Sequence, residues 1–128
     1  MKKKTILIIE DNLDSMELLE AILEGKYAVI KTSDSTKSVE MAKENEPSLV
    51  LLDISMPKMD GNEILRRFKQ DKSLRRMPII AVTAHAMKGD RERYLRIGFD
   101  GYVSKPIIDE SLLLNSIEKL IHKRSVEL

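Results

Sequence analysis

The sequence predicts an α/β fold: a parallel sheet of five strands, doubly wound, with helices on both faces. Three observations predict it. Short apolar runs alternate five times with segments of helical period. The first, third and fourth of those runs are apolar on both strand faces, as central strands of a sheet covered by helices must be. No linker or low-complexity stretch interrupts the pattern, so the 128 residues read as one domain spanning 1–128.

The strands are placed at Thr5 to Ile9, Tyr27 to Lys31, Leu49 to Leu52, Ile79 to Thr83 and Tyr102 to Val103. Between them, Met16, Leu19 and Leu23 recur at helical spacing, as do Ile64, Leu65 and Phe68, and then Leu113, Ile117, Leu120 and Ile121. Gly25 and Gly98 sit where helices end, and Asp109 is placed to cap the last one. Right-handed crossovers over five βα units favour the flavodoxin-like strand order 2-1-3-4-5, with function gathered at the carboxyl ends of strands one and three.

Composition excludes several classes. There is no cysteine, which removes disulfides, thiolate metal sites and cysteine nucleophiles and favours a cytoplasmic location. The start Met1-Lys2-Lys3-Lys4 resembles a signal-peptide n-region, but the apolar run after it ends at Glu10-Asp11, too short to export or span a membrane. A formal net charge of +1 and five aromatic residues (three Tyr, two Phe) offer neither an overall field nor a stacking platform for nucleic acid. The charge is nonetheless uneven. Thr5 to Gly25 holds six acidic residues and no Lys or Arg, whereas Arg66 to Arg96 holds ten basic residues against three acidic ones. Solvated helix faces account for most of these charges.

The polar residues that close the apolar strands carry the chemistry. Glu10 and Asp11 follow the first strand, Asp53 the third, Thr83 the fourth and Lys105 the fifth, all on one edge of the sheet. Adjacent strands lie ~4.8 Å apart, so the carboxylates of Asp11 and Asp53 come near each other, which is costly without a cation. An all-oxygen set without His or Cys selects a hard divalent ion, magnesium with manganese as the substitute. Asp11 and Asp53 are the direct ligands in this reading, Glu10 acts through water, and a backbone carbonyl at Ser55 adds a ligand. Loop capping is the plain alternative for Glu10-Asp11 taken alone; five groups on one edge outweigh it.

The segments Ile8-Ile9-Glu10-Asp11-Asn12, Leu51-Leu52-Asp53-Ile54-Ser55-Met56-Pro57-Lys58-Met59-Asp60-Gly61, Val82-Thr83-Ala84 and Lys105-Pro106 resemble, in order and spacing over essentially the whole chain, the motifs of response-regulator receiver domains. The resemblance implies that Asp53 is the phosphoacceptor, attacking a phosphohistidine of a histidine kinase or histidine phosphotransfer protein. It implies a cis Lys105-Pro106 bond aiming the ammonium inward, and a switch in which Thr83 moves toward the phosphoryl group and Tyr102 rotates inward, reshaping the surface of the fourth helix, fifth strand and fifth helix for a downstream protein target. Ser55 and His85 lie two residues beyond Asp53 and Thr83, where receivers border the phosphoryl group; for His85, and for His122 in the last helix, plain solvation is the better reading. The acidic first helix is the expected docking face for a histidine-bearing helical partner.

Three other readings compete with this one. A flavin module of this topology needs a small, phosphate-cradling loop after the first strand, where this chain has Glu10-Asp11-Asn12-Leu13-Asp14. A magnesium phosphatase with an aspartate nucleophile, of the haloacid-dehalogenase type, carries a second Asp at the position occupied here by Ser55. The third keeps the receiver but takes it as excised from a hybrid histidine kinase, a class that Val82-Thr83-Ala84-His85-Ala86-Met87 also resembles. The expectation is therefore a phosphoacceptor switch rather than an enzyme, assisting only its own phosphorylation and dephosphorylation.

Overall fold

The computed structural model describes residues 3–56, 60–84 and 86–127. Pro57, Lys58, Met59 and His85, named above, lie outside the described residues. Five strands form one parallel sheet in the order β2-β1-β3-β4-β5: β1 Thr5–Ile9, β2 Ala28–Thr32, β3 Leu49–Asp53, β4 Ile79–Thr83 and β5 Gly101–Ser104. The helices are α1 Leu13–Leu23, α2 Ser38–Asn45, α3 Gly61–Gln70, α4 Asp90–Ile97 and α5 Glu110–Glu127. A short 3-10 turn, Ser35–Lys37, precedes α2, with Asp34 capping it through Thr36 N–H.

Strand parity divides the core in two. Leu7, Ile9, Val50, Leu52, Ile79 and Ala81 point to one face, where α3 brings Ile64, Leu65 and Phe68 and α2 brings Ala42. Ile6, Ile8, Leu49, Leu51, Ile80 and Val82 point to the other, against Met16, Leu19 and Leu23 of α1 and Leu113, Ile117 and Ile121 of α5. This is why β1, β3 and β4 show no polar alternation: both faces are covered, and each side chain so buried contributes about 1.5–3 kcal/mol relative to exposure.

Helix ends follow local chemistry. Asn12 Oδ1 accepts the Ser15 N–H at 2.9 Å to start α1, Asp60 accepts Asn62 N–H at 2.9 Å to start α3, and Asp109 Oδ1 accepts the N–H and hydroxyl of Ser111 to start α5. Gly98, at φ 126°, returns its N–H to the carbonyl of Leu95 at the end of α4, a backbone setting that side chains resist.

Three boundaries differ from the sequence reading. β2 runs from Ala28 to Thr32 rather than from Tyr27, because Tyr27 N–H is taken by Leu23 O at the end of α1. β3 continues through Asp53, which pairs in register with Val82. β5 gains a residue at each end, Gly101 opposite Ile80 and Ser104 opposite Thr83. The second of these matters most, since it makes Asp53 the last rung of a buried strand and not a loop residue.

Candidate functional site

The carboxyl ends of β1, β3 and β4 and the loop after β5 converge. Glu10 and Asp53 are buried, at 1% and 4% exposure, while Asp11 is exposed at the rim. Each of the three offers a carboxylate oxygen, and these oxygens lie within 4.8 Å of one another. Lys105 reaches over from the β5–α5 loop, its Nζ 2.5 Å from Glu10 Oε1 and 3.3 Å from Asp53 Oδ2. The Lys105–Pro106 peptide is cis, as the resemblance implies, and Lys105 N–H donates to Thr83 O at 2.8 Å. Ser55 donates both its N–H, at 2.8 Å, and its hydroxyl, at 2.6 Å, to Asp53 Oδ1. Asn12 N–H donates to Glu10 Oε2 at 3.2 Å.

The electrostatics follow from this crowding. Burial and the neighbouring Asp53 carboxyl together push Glu10 up to about 7, despite its contact with Lys105. Asp53 goes the other way: burial works against its ionised form, but hydrogen bonds from Glu10 and Ser55 and the Lys105 charge hold it below the ordinary range. The site thus keeps Asp53 as an ionised carboxylate. An all-carboxylate donor set with one buried member more than one ammonium can neutralise fits a hard divalent cation. Among the described residues, Glu10, Asp11 and Asp53 are grouped closely enough to hold it.

Beside this cluster runs a cleft of about 310 Å³, lined among others by Asp14, Leu18 and Leu19 of α1, by Val82, and by Lys105 and Ile107. Thr83 closes β4 at 4% exposure. Tyr102 lies two rungs back, opposite Ala81 in the β4–β5 register.

The match to known proteins decides what family this site belongs to. The family model for the response regulator receiver domain matches residues 6–118. The chain belongs to the response-regulator receiver domain family. Among curated relatives of this receiver is the polar-differentiation response regulator DivK of Brucella ovis, 42% identical over 105 residues, which cover 81% of this chain and 85% of that protein. Among solved structures, the receiver domain of sensor histidine kinase PA1611 from Pseudomonas aeruginosa PAO1, with magnesium coordinated in its active-site cleft, superimposes with a TM-score of 0.83 at 32% identity, over 94% of this chain and 98% of that one. A receiver domain of a signal transduction histidine kinase from Syntrophus aciditrophicus gives 0.81 at 30%, over 94% and 91%. The receiver is accordingly a two-component signalling domain and not a classical enzyme, of a family that meets histidine kinases or phosphotransfer proteins on one side and downstream targets on the other. No helix among its described residues is long and apolar enough to cross a membrane.

The structure brings together Glu10, Asp11, Asp53, Ser55, Thr83 and Lys105. Glu10 is buried in an ion pair with Lys105, and Tyr102 is half-buried with its hydroxyl turned into the protein. Two further residues went unnoticed in the sequence. Asp90, 8% exposed at the start of α4, accepts Met87 N–H at 2.8 Å and pairs with Arg93 at 3.0 Å, and Tyr94 stacks on Tyr102. The pairing of Asp90 with Arg93, three residues on, was readable as a helix-start pattern; the Tyr94–Tyr102 contact joins separate elements and left no local signal.

Proposed function

We propose that residues 1–128 act as one phosphorylation switch in which Asp53 accepts a phosphoryl group from the phosphohistidine of a histidine kinase or histidine phosphotransfer protein. The observation that carries the reading is the setting of Asp53: an ionised carboxylate at the end of a buried strand, one oxygen fixed by Ser55 and the other facing the Lys105 ammonium. A carboxylate oxygen of Asp53 forms the new O–P bond. The P–N bond to the partner's imidazole breaks with its electron pair, and the released nitrogen takes up a proton. Lys105 neutralises charge on the phosphoryl oxygens, and the Thr83 hydroxyl donates a hydrogen bond to one of them.

Glu10, Asp11 and Asp53, with a backbone carbonyl at Ser55, would hold a magnesium ion, or manganese in its place. When bound, that ion supplies charge neutralisation at the phosphoryl oxygens. The magnesium-bound PA1611 receiver supports this assignment by likeness. Phosphorylation then biases Thr83 and Tyr102 and, through them, the α4–β5–α5 surface that meets a downstream protein. The same chemistry, run with water, returns Asp53 to its carboxylate, so the chain assists its own phosphorylation and dephosphorylation while turning over no separate substrate. The cysteine-free composition fits a cytoplasmic setting.

Mass spectrometry after acetyl phosphate and magnesium treatment tests the proposal. One phosphoryl group is expected on the native chain and none on Asp53→Asn; equal labelling of both would overturn the assignment.

A further inference from the structure

Contacts outside the carboxylate site help to hold the Tyr102 ring. It lies opposite Ala81, whose single methyl leaves room for a ring, and packs on the core face shared with α3. Tyr94 of α4 stacks on it with centroids 5.8 Å apart and planes 14° from parallel. Tyr94 is itself braced: Phe99 meets it edge-on at 5.8 Å and 74°, and the Arg93 guanidinium carbon stands 4.7 Å from its ring centroid. The start of α4 is fastened by Asp90 to Met87 and Arg93, and Arg91 Nη1 donates to Tyr102 O at 3.2 Å. One feature opposes this packing. The Tyr102 hydroxyl is buried with no hydrogen-bond partner among the described residues, a cost that an outward ring would relieve in water.

We infer that Tyr94 is a positioning residue that holds the Tyr102 ring inward independently of any phosphoryl group on Asp53. The inference rests on the proposed reading of Tyr102 as the residue through which the switch reaches its output surface. Favourable stacking and an unpaired buried hydroxyl pull in opposite directions, so the ring sits in a balanced two-state element that Tyr94 biases inward. An offset-stacked aromatic pair shifts such a balance roughly twofold to tenfold. The receiver would then present part of its output surface before phosphorylation, with the phosphoryl group completing the shift.

NMR with ring-labelled tyrosine tests this directly, by following nuclear Overhauser contacts between the Tyr102 ring and the Ala81 methyl in protein without phosphodonor. The native chain and Tyr94→Phe, which keeps the ring, are expected to show those contacts. Tyr94→Leu, which keeps bulk without the stack, should weaken them roughly twofold to tenfold, and adding Tyr102→Phe to it should restore them by removing the stranded hydroxyl. Native protein lacking the contacts overturns the inference without recourse to any variant, as does a Tyr94→Leu chain with contacts of native strength. Beryllofluoride and magnesium separate this from the parent reading: if they fail to return the ring in Tyr94→Leu, the positioning by Tyr94 stands and it is the assignment of Tyr102 to the switch that falls.

Discussion

Lys105 lies closer to Glu10 than to Asp53: its ammonium is 2.5 Å from Glu10 Oε1 and 3.3 Å from Asp53 Oδ2. One cation therefore serves two buried carboxyls, and the closer contact goes to the residue that is not the proposed acceptor. This arrangement leaves Asp53 Oδ2 partnered but not tightly clasped. It also leaves the pair one positive charge short, and burial first, with the Asp53 carboxyl beside it, raises Glu10 to about 7.

The Glu10 proton makes the metal-free protein pH-sensitive. Glu10 binds its proton more tightly in the fold than in the unfolded chain, so it adds stability that is complete below the unfolded value of 4.5 and is lost as pH rises through about 7. Asp53, held below its ordinary value, acts in the opposite sense, and what it contributes is lost only as pH falls below about 3.8, outside that window. Urea unfolding in EDTA is expected to show stability dropping by about 2 kcal/mol between about pH 5 and pH 8. Glu10→Gln should flatten most of that slope, and a native protein equally stable at both ends would contradict the burial-driven rise.

Asp11→Asn separates metal binding from the fold. Asp11 is exposed and its carboxylate belongs to the acidic cluster, so removing its charge should leave the metal-free protein as stable or slightly more stable. Magnesium should raise the melting temperature of the native chain and do so far less for the variant, since a ligand that binds only the folded state stabilises it by mass action. Phosphorylation by acetyl phosphate should fall below detection. Normal labelling of Asp11→Asn would remove it from the site.

The parts of this site that could be read in the sequence are those written in strand periodicity. Asp53, Thr83 and Lys105 each follow an apolar run, and parallel topology alone puts such positions on one edge. The apolar run ends just before Asp53, and the structure adds Asp53 to β3 because pairing with Val82 depends on the neighbouring strand, not on local sequence. The depth of Glu10, its pairing with Lys105 and the stacking of Tyr94 on Tyr102 are tertiary contacts between side chains of different elements. Periodicity carries no information about them. The helix faces of α1, α3 and α5 were legible because each has a buried stripe, whereas α2 buries little more than Ser38 and Ala42 and was correspondingly faint.

Gly61 is fixed by a close approach. A Cβ there would stand 2.6 Å from Ile54 Cγ2, 2.8 Å from Ile54 Cβ and 3.1 Å from the Ile54 Cα, so something must shift, and Ile54 follows Asp53 directly. Gly61→Ala should cost about 1–3 kcal/mol in urea unfolding, as overpacking does. Because the strain falls on the segment that carries Ser55 against Asp53, the acetyl phosphate reaction should slow as well. A variant of native stability and native rate would show that Ile54 yields freely.

Charge on α1 should govern partner encounter rather than chemistry. Asp14 and Glu17 are exposed, and Asp14 lines the cleft that leads to Lys105. Glu20 differs from them, because its carboxylate is engaged by Lys31 at 2.8 Å, so reversing it would also break an ion pair to β2. Asp14→Lys with Glu17→Lys is therefore the cleaner probe. If a histidine-bearing helical partner presents basic residues to this face, the double variant should slow transfer from that partner roughly tenfold at low salt and less at high salt, because steering between exposed charges is screened over about 10 Å at 0.1 M ionic strength. Labelling by acetyl phosphate, which needs no docking face, should be unchanged, and that pair of results together locates the effect in association. Transfer from the cognate partner at the native rate and with native salt dependence would mean that the acidic face of α1 is merely solvated and that docking rests on the apolar residues Leu13 and Leu18 exposed beside it.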